Sequence, residues 1–93
     1  MRIGVPREIK NHEYRVAITP AGVHELVGRG HEVFIEGGAG LGSSISDAEY
    51  ESAGARVLDT ADDVWAEGEL ILKVKEPTPA EYHHLREGQT LFA

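Results

Sequence analysis

A chain of 93 residues bounds the molecule to one domain at most, one that buries a modest share of its surface, roughly 60 to 65 % by size scaling. Sixteen Asp and Glu against nine Lys and Arg give a net charge of −7, which opposes binding to phosphate backbones and anionic membranes, so nucleic acid and membrane surfaces are not expected partners. Without cysteine there is neither a disulfide framework nor a thiolate metal site, and no apolar run is long enough for a signal segment or a membrane span. The expectation is a soluble, cytoplasmic protein.

In chain order, Arg2 to Val5 is a short β-prone run stopped by Pro6, and a charged loop from Arg7 to Ala17 follows. Thr19 can cap a helix, Pro20 fits its first position, and Val23, Leu26 and Val27 recur at helical spacing before Gly28 and Gly30 end it. His31 to Glu36 reads as a second strand with Val33 and Ile35 on one side. The glycine-rich run Gly37 to Ser43 is a flexible turn, after which Ser46-Asp47-Ala48-Glu49 forms a capping box that opens a helix closed by Gly54. Arg56 to Leu58 is a third strand, and Thr60 opens a further helical turn carrying Val64 and Trp65 as far as Gly68.

Glu69 to Pro77 then reads ELILKVKEP, with Leu70 to Lys75 as one buried strand. Strand alternation turns Leu70, Leu72 and Val74 to one face and Ile71, Lys73 and Lys75 to the other, so two ammonium groups share a face. Pro77 cannot join a sheet ladder, which leaves Lys75 at the carboxyl edge of the sheet. Thr78-Pro79-Ala80-Glu81 repeats the capping pattern before a helix with Tyr82 and Leu85, and Thr90 to Ala93 is a fifth strand. Alternating strands and helices predict an α/β fold with a parallel sheet. The fifth strand has no covering helix after it, which predicts an incomplete domain.

The glycines of Gly38-Ala39-Gly40-Leu41-Gly42 are too closely spaced for the dinucleotide fingerprint, whose third glycine falls at Ser43, so no cofactor-binding residue is assigned. Among five histidines, His83 and His84 are adjacent on the expected helix and cannot face one site, while His12, His24 and His31 are scattered, so no metal site is expected. Asp62 and Asp63 suit a first helical turn by the macrodipole alone. Arg15 and Lys75 both fall beyond carboxyl ends of strands, where open α/β sheets bind ligands. Together they can hold a small carboxylate, Arg by a bidentate fork and Lys as a point charge, though spacing alone favours solvent-facing cations and surface ion pairs. Lys73, further inside the strand, reads as structural.

The segments MRIGVPREIKNHEYRVAITPAGV, GHEVFIEGGAGLGSSISDAEY, AGARV and ELILKVKEP, in that order, resemble the amino-terminal part of the alanine dehydrogenase and nicotinamide nucleotide transhydrogenase family. The second lysine of KVKEP is the dehydrogenase pattern, whereas the transhydrogenase alpha subunit has a neutral residue there. The resemblance implies a Rossmann-like or flavodoxin-like fold, with residues 1–93 as the amino-terminal portion of a substrate domain and the NAD-binding domain absent from the chain. It implies reversible NAD-dependent oxidative deamination of L-alanine to pyruvate and ammonia by a homo-oligomer, hexameric in the family. Arg15 would grip the substrate carboxylate, and Lys75 would bind near the carbonyl oxygen and serve catalysis. The family's catalytic histidine lies beyond Ala93, so the expectation is a fragment inactive alone. The alternatives are a fragment of a proton-translocating transhydrogenase alpha subunit and a non-catalytic assembly module.

Overall fold

The computed structural model describes residues 1–93. Five strands form one sheet: β1 (Arg2–Val5), β2 (Glu32–Glu36), β3 (Arg56–Leu58), β4 (Leu70–Leu72) and β5 (Thr90–Phe92). Between them lie α1 (Pro20–Gly28), α2 (Asp47–Ser52) and α3 (Ala61–Glu67), with 3-10 segments at Leu41–Ser43 and Pro79–His84. All pairings are parallel, and the strand order is β3-β2-β1-β4-β5. Of the two expected topologies this is the Rossmann-like one, whose order reverses between β1 and β4. Loops leaving those two strands at their carboxyl ends therefore diverge and open a crevice.

Helices cover both faces of the sheet. Ile3 and Val5 of β1 share a face with Val33 and Ile35 of β2, and Val23 of α1 and Tyr50 of α2 complete a buried cluster there. Tyr50 is fully buried and its hydroxyl donates to the Ile18 carbonyl at 2.7 Å, pinning α2 to the residue before the Thr19 cap. Burial pushes its phenol up to about 12. On the opposite face α3 lies so close to β1 that a Cβ on Gly4 would stand 2.9 Å from the Val64 carbonyl oxygen and 2.9 Å from Ile71 Cδ1. Phe34, paired with Gly4 and buried, completes this second layer with Trp65 and Ile71.

The helix starts follow their side chains as read. Thr19 caps α1 through the Gly22 N–H, Ser46 and Glu49 form a reciprocal box on α2, and Thr60 caps α3 through the Asp63 N–H. Two expectations are corrected. The fourth strand stops at Leu72 and the chain bends at residues 74 and 75, so Lys73 and Lys75 do not share a face. The segment after Thr78 is a 3-10 turn with i to i+3 bonds such as Glu81 N–H to the Thr78 carbonyl, and it buries Glu81 while Tyr82 and Leu85 stay exposed. A buried ammonium, described below, draws that glutamate inward.

Gly4→Val should destabilise the fold by about 1–3 kcal/mol, because the clash is with a backbone carbonyl that cannot swing away. Gly28→Ala, which meets nothing within 4 Å, should be neutral or slightly stabilising. Urea denaturation midpoints of the two variants check the pair; equal midpoints would refute the close approach of α3.

Candidate functional site

The crevice between β1 and β4 is closed at its base by charge. Lys73 leaves β4 with its side chain 1 % exposed, and its Nζ lies 3.3 Å from Glu8 Oε1 and 3.1 Å from Glu81 Oε2. Burying an ammonium is costly unless it is paired and hydrogen-bonded, and two buried carboxylates meet that condition. The excess negative charge is spread over backbone donors. Glu8 also accepts from the N–H groups of Val74 and Lys75, at 3.1 and 3.2 Å, and Glu81 accepts from the Thr78 N–H at 3.1 Å. One carboxylate from the loop after β1 thus fixes the course of the chain through Lys75.

Above this base the two sequence-predicted site residues converge. Arg15 grips Glu13 with both arms of its guanidinium, Nε to Oε2 at 3.0 Å and Nη2 to Oε1 at 2.8 Å, and Glu13 Oε2 also accepts from the Arg15 backbone N–H at 2.9 Å. Lys75 Nζ approaches the same Oε1 at 3.6 Å. Side-chain and backbone hydrogen bonds from Arg15, with lesser attraction from Lys75, hold the Glu13 carboxyl down at about 2, and Glu13 in turn raises the Arg15 guanidinium. Glu13 is 3 % exposed, whereas Arg15 is 68 % and Lys75 41 % exposed. The cations thus share one buried carboxylate and keep their outer sides open.

Arg15 lines a cleft of about 520 Å³ together with Thr19, Ser43, Leu72 and Phe92, and a smaller one of about 230 Å³ beside Glu8 and Glu13. Lys75 borders neither, and it joins the site only through Glu13. Lys10 and Glu76 form a further exposed ion pair across the same two loops. The arrangement is two cations on one carboxylate. A bidentate guanidinium and an ammonium meet at one carboxylate oxygen, a geometry whose chemistry suits carboxylate recognition.

The glycine-rich turn supports this loop. Gly38, at φ +82°, donates its N–H to Asp47 Oδ1 at 2.9 Å, a Cβ on Gly42 would meet the Tyr14 carbonyl oxygen at 2.7 Å, and Ser43 Oγ donates to the same carbonyl at 3.0 Å. It is a packed strut against the Arg15 loop, in place of the expected flexible turn. Sequence reasoning missed Glu8, Glu13 and Glu81. A lysine at an inward position of an apolar strand was the available signal for Glu8 and Glu81, since it demands buried counter-ions. Among the histidines, His12 contacts the Tyr14 hydroxyl and His31 the amino terminus, but His83 and His84 both turn toward Asp62, because a 3-10 segment replaces the expected helix.

Fold and site together define a class: a Rossmann-like parallel α/β domain with Arg15 and Lys75 gathered on Glu13 at its topological switch point. The family described as "Alanine dehydrogenase/PNT, N-terminal domain" matches residues 4–93, and the chain belongs to that family. It is 64 % identical over 92 residues to the alanine dehydrogenase of Mycolicibacterium smegmatis and 53 % identical over 92 residues to that of Bacillus subtilis, with 99 % of the chain covered in each case. Among solved structures, an L-alanine dehydrogenase superposes with a TM-score of 0.95 at 50 % identity, and a transhydrogenase from Sinorhizobium meliloti with 0.90 at 41 %, each over 98 % of the chain. The chain spans about a quarter of the length of these relatives, 25 % and 24 % of the two enzymes and 25 % and 26 % of the two structures.

The Glu13 titration tests the site directly. A depressed folded-state value means that the Glu13 contribution to stability is present above the usual 4.5 and lost as pH falls through about 2. Arg15→Gln should return the carboxyl toward its usual range, leaving the variant less stable than wild type above that acid window, with the difference closing as pH falls through it. Carboxyl carbon shifts followed by NMR check this, and a Glu13 that still titrates near 2 in the variant would refute the Arg15 clamp.

Proposed function

We propose that the chain supplies the substrate-carboxylate site of an L-alanine dehydrogenase, which converts L-alanine, NAD⁺ and water to pyruvate, ammonium, NADH and a proton, reversibly. The observation that carries this reading is the meeting of Arg15 and Lys75 on one carboxylate oxygen at the switch point, at 2.8 and 3.6 Å. The names of its relatives support it, and their identities of 64 % and 53 % exceed the 41 % of the transhydrogenase structure. Arg15 exchanges Glu13 for the carboxylate of alanine or pyruvate and orients it. Lys75 donates to the neighbouring oxygen, where its fixed positive charge stabilises the negative charge that develops as the carbonyl is attacked or the carbinolamine collapses.

The residues present do not fit a dinucleotide. The only glycine-rich turn is filled by Tyr14 and by the Asp47 carboxylate, which leaves no cradle for a pyrophosphate. In this reading residues 1–93 contribute part of a substrate domain, NAD is bound by a separate domain, and a further group serves as general acid and base. No hydride step is therefore assigned to these residues. The working protein in this proposal is a cytoplasmic homo-oligomer, a reading compatible with the finding that no helix is long and apolar enough to cross a membrane.

Two substitutions separate the roles. In the full-length enzyme, Arg15→Ala should weaken pyruvate and alanine binding by roughly 10- to 100-fold, the worth of a charge-assisted hydrogen-bond pair. Lys75→Ala should lower turnover by roughly 100- to 1,000-fold, because its charge acts most strongly on the transition state. Steady-state kinetics of NADH formation decide the matter; wild-type constants in both variants would overturn the assignment.

A further inference from the structure

Away from Arg15 and Lys75, the carboxyl edge of the sheet carries a second group of polar side chains that the proposed reaction does not use. Asp62 lies in the first turn of α3, and His83 and His84 end the 3-10 segment after β4. His84 Nδ1 stands 3.3 Å and His83 Nε2 3.8 Å from Asp62 Oδ1, the two imidazole centroids are 3.9 Å apart, and the three ligand atoms all lie within 4.8 Å of one another. We propose that Asp62, His83 and His84 form a binding site for a borderline divalent transition-metal cation of the Zn²⁺ or Ni²⁺ kind.

The donor set has the right chemistry. Imidazole nitrogen and carboxylate oxygen are the ligands such ions prefer where no thiolate is present. In a tetrahedral ion with bonds of about 2.0–2.1 Å, neighbouring ligand atoms stand about 3.3 Å apart. The Asp62 and His84 atoms already have that separation, whereas His83, 3.8 Å from Asp62 Oδ1 and within 4.8 Å of the His84 ligand atom, must swing inward to join them. Its side chain is 67 % exposed and that of Asp62 80 %, so both have freedom to adjust. His84 does not, since it is 10 % exposed and stacked on Trp65 at 5.3 Å with a 9° interplanar angle. One pinned ligand and two adjustable ones make a three-point site with coordination positions left for water.

Charge works in the same direction. A dication against one carboxylate and two neutral imidazoles is favoured by a chain of net charge −7. The bound ion would tie α3 to the 3-10 segment, the one whose Glu81 holds Lys73. It would brace the clasp under the cluster on Glu13 without touching Arg15 or Lys75. The inference stands on the positions of Asp62, His83 and His84 and is independent of the proposed dehydrogenase chemistry.

Trp65 is the sole tryptophan and lies against one ligand, so it reports on the site. Titrating the whole chain with Ni²⁺ should quench its emission saturably at one ion per chain, and Zn²⁺, which does not quench, should restore it by displacement. Asp62→Asn and His83→Gln, both at exposed positions, should each weaken the apparent Ni²⁺ affinity by roughly 10-fold or more. His12→Gln and His31→Gln should leave it unchanged. Absence of saturable quenching, or quenching indifferent to Asp62→Asn and His83→Gln, would overturn the site.

Discussion

The structure around the switch point depends on one buried ammonium. Lys73 is enclosed just past the end of β4, and its charge is acceptable there only because Glu8 and Glu81 reach it from two other segments. Loss of Lys73 would leave two buried carboxylates without their shared counter-ion, which costs about 3–5 kcal/mol in comparable cases, a large fraction of what a small domain has. The pairing therefore dictates geometry well beyond itself. It pulls the loop after β1 against the end of β4, turns Glu81 inward in the 3-10 segment, and directs the free oxygen capacity of Glu8 to the backbone of Val74 and Lys75.

That clasp explains how two lysines only two residues apart have different fates. Regular strand alternation would have aimed both at one face, but the chain leaves the sheet after Leu72 and bends where Glu8 caps its N–H groups. Lys73 is committed to the interior, while Lys75 keeps 41 % of its side chain exposed and meets the chain again only at Glu13. A buried charge thus sets the place of an exposed one.

Much of the fold was legible in the sequence because it rests on local chemistry. Pro6 ends β1 by lacking a donor, while Thr19, the Ser46 box and Thr60 mark helix starts by hydrogen bonds within a few residues, and the structure places them there. The parallel α/β class followed from the alternation of those elements. What could not be read depends on contacts distant in sequence. Gly4 as the point where α3 seats, Gly42 as the seat of Tyr14, and the joining of Glu8 to residues 73–75 each pair groups from separate elements. The site was half legible: Arg15 and Lys75 announced themselves as cations at strand ends, but Glu13, the group that brings them together, carried no signal beyond lying in a charged loop.

Glu13 also accounts for the closeness of Arg15 and Lys75. Two cations beside one another repel, and Arg15 and Lys75 stay close because Glu13, 3 % exposed, stands between them. Lys73, Lys75 and Arg15 are balanced by Glu8, Glu13 and Glu81, so the cluster is neutral as built. A ligand carboxylate that entered without moving Glu13 would leave a surplus negative charge beside a poorly solvated one. The proposed exchange would avoid that, because Arg15 would change partners while Glu13 gained contact with solvent or with a ligand ammonium. In that proposal a small carboxylate would satisfy the fork, and one that carries its own ammonium group would also satisfy the glutamate it displaces.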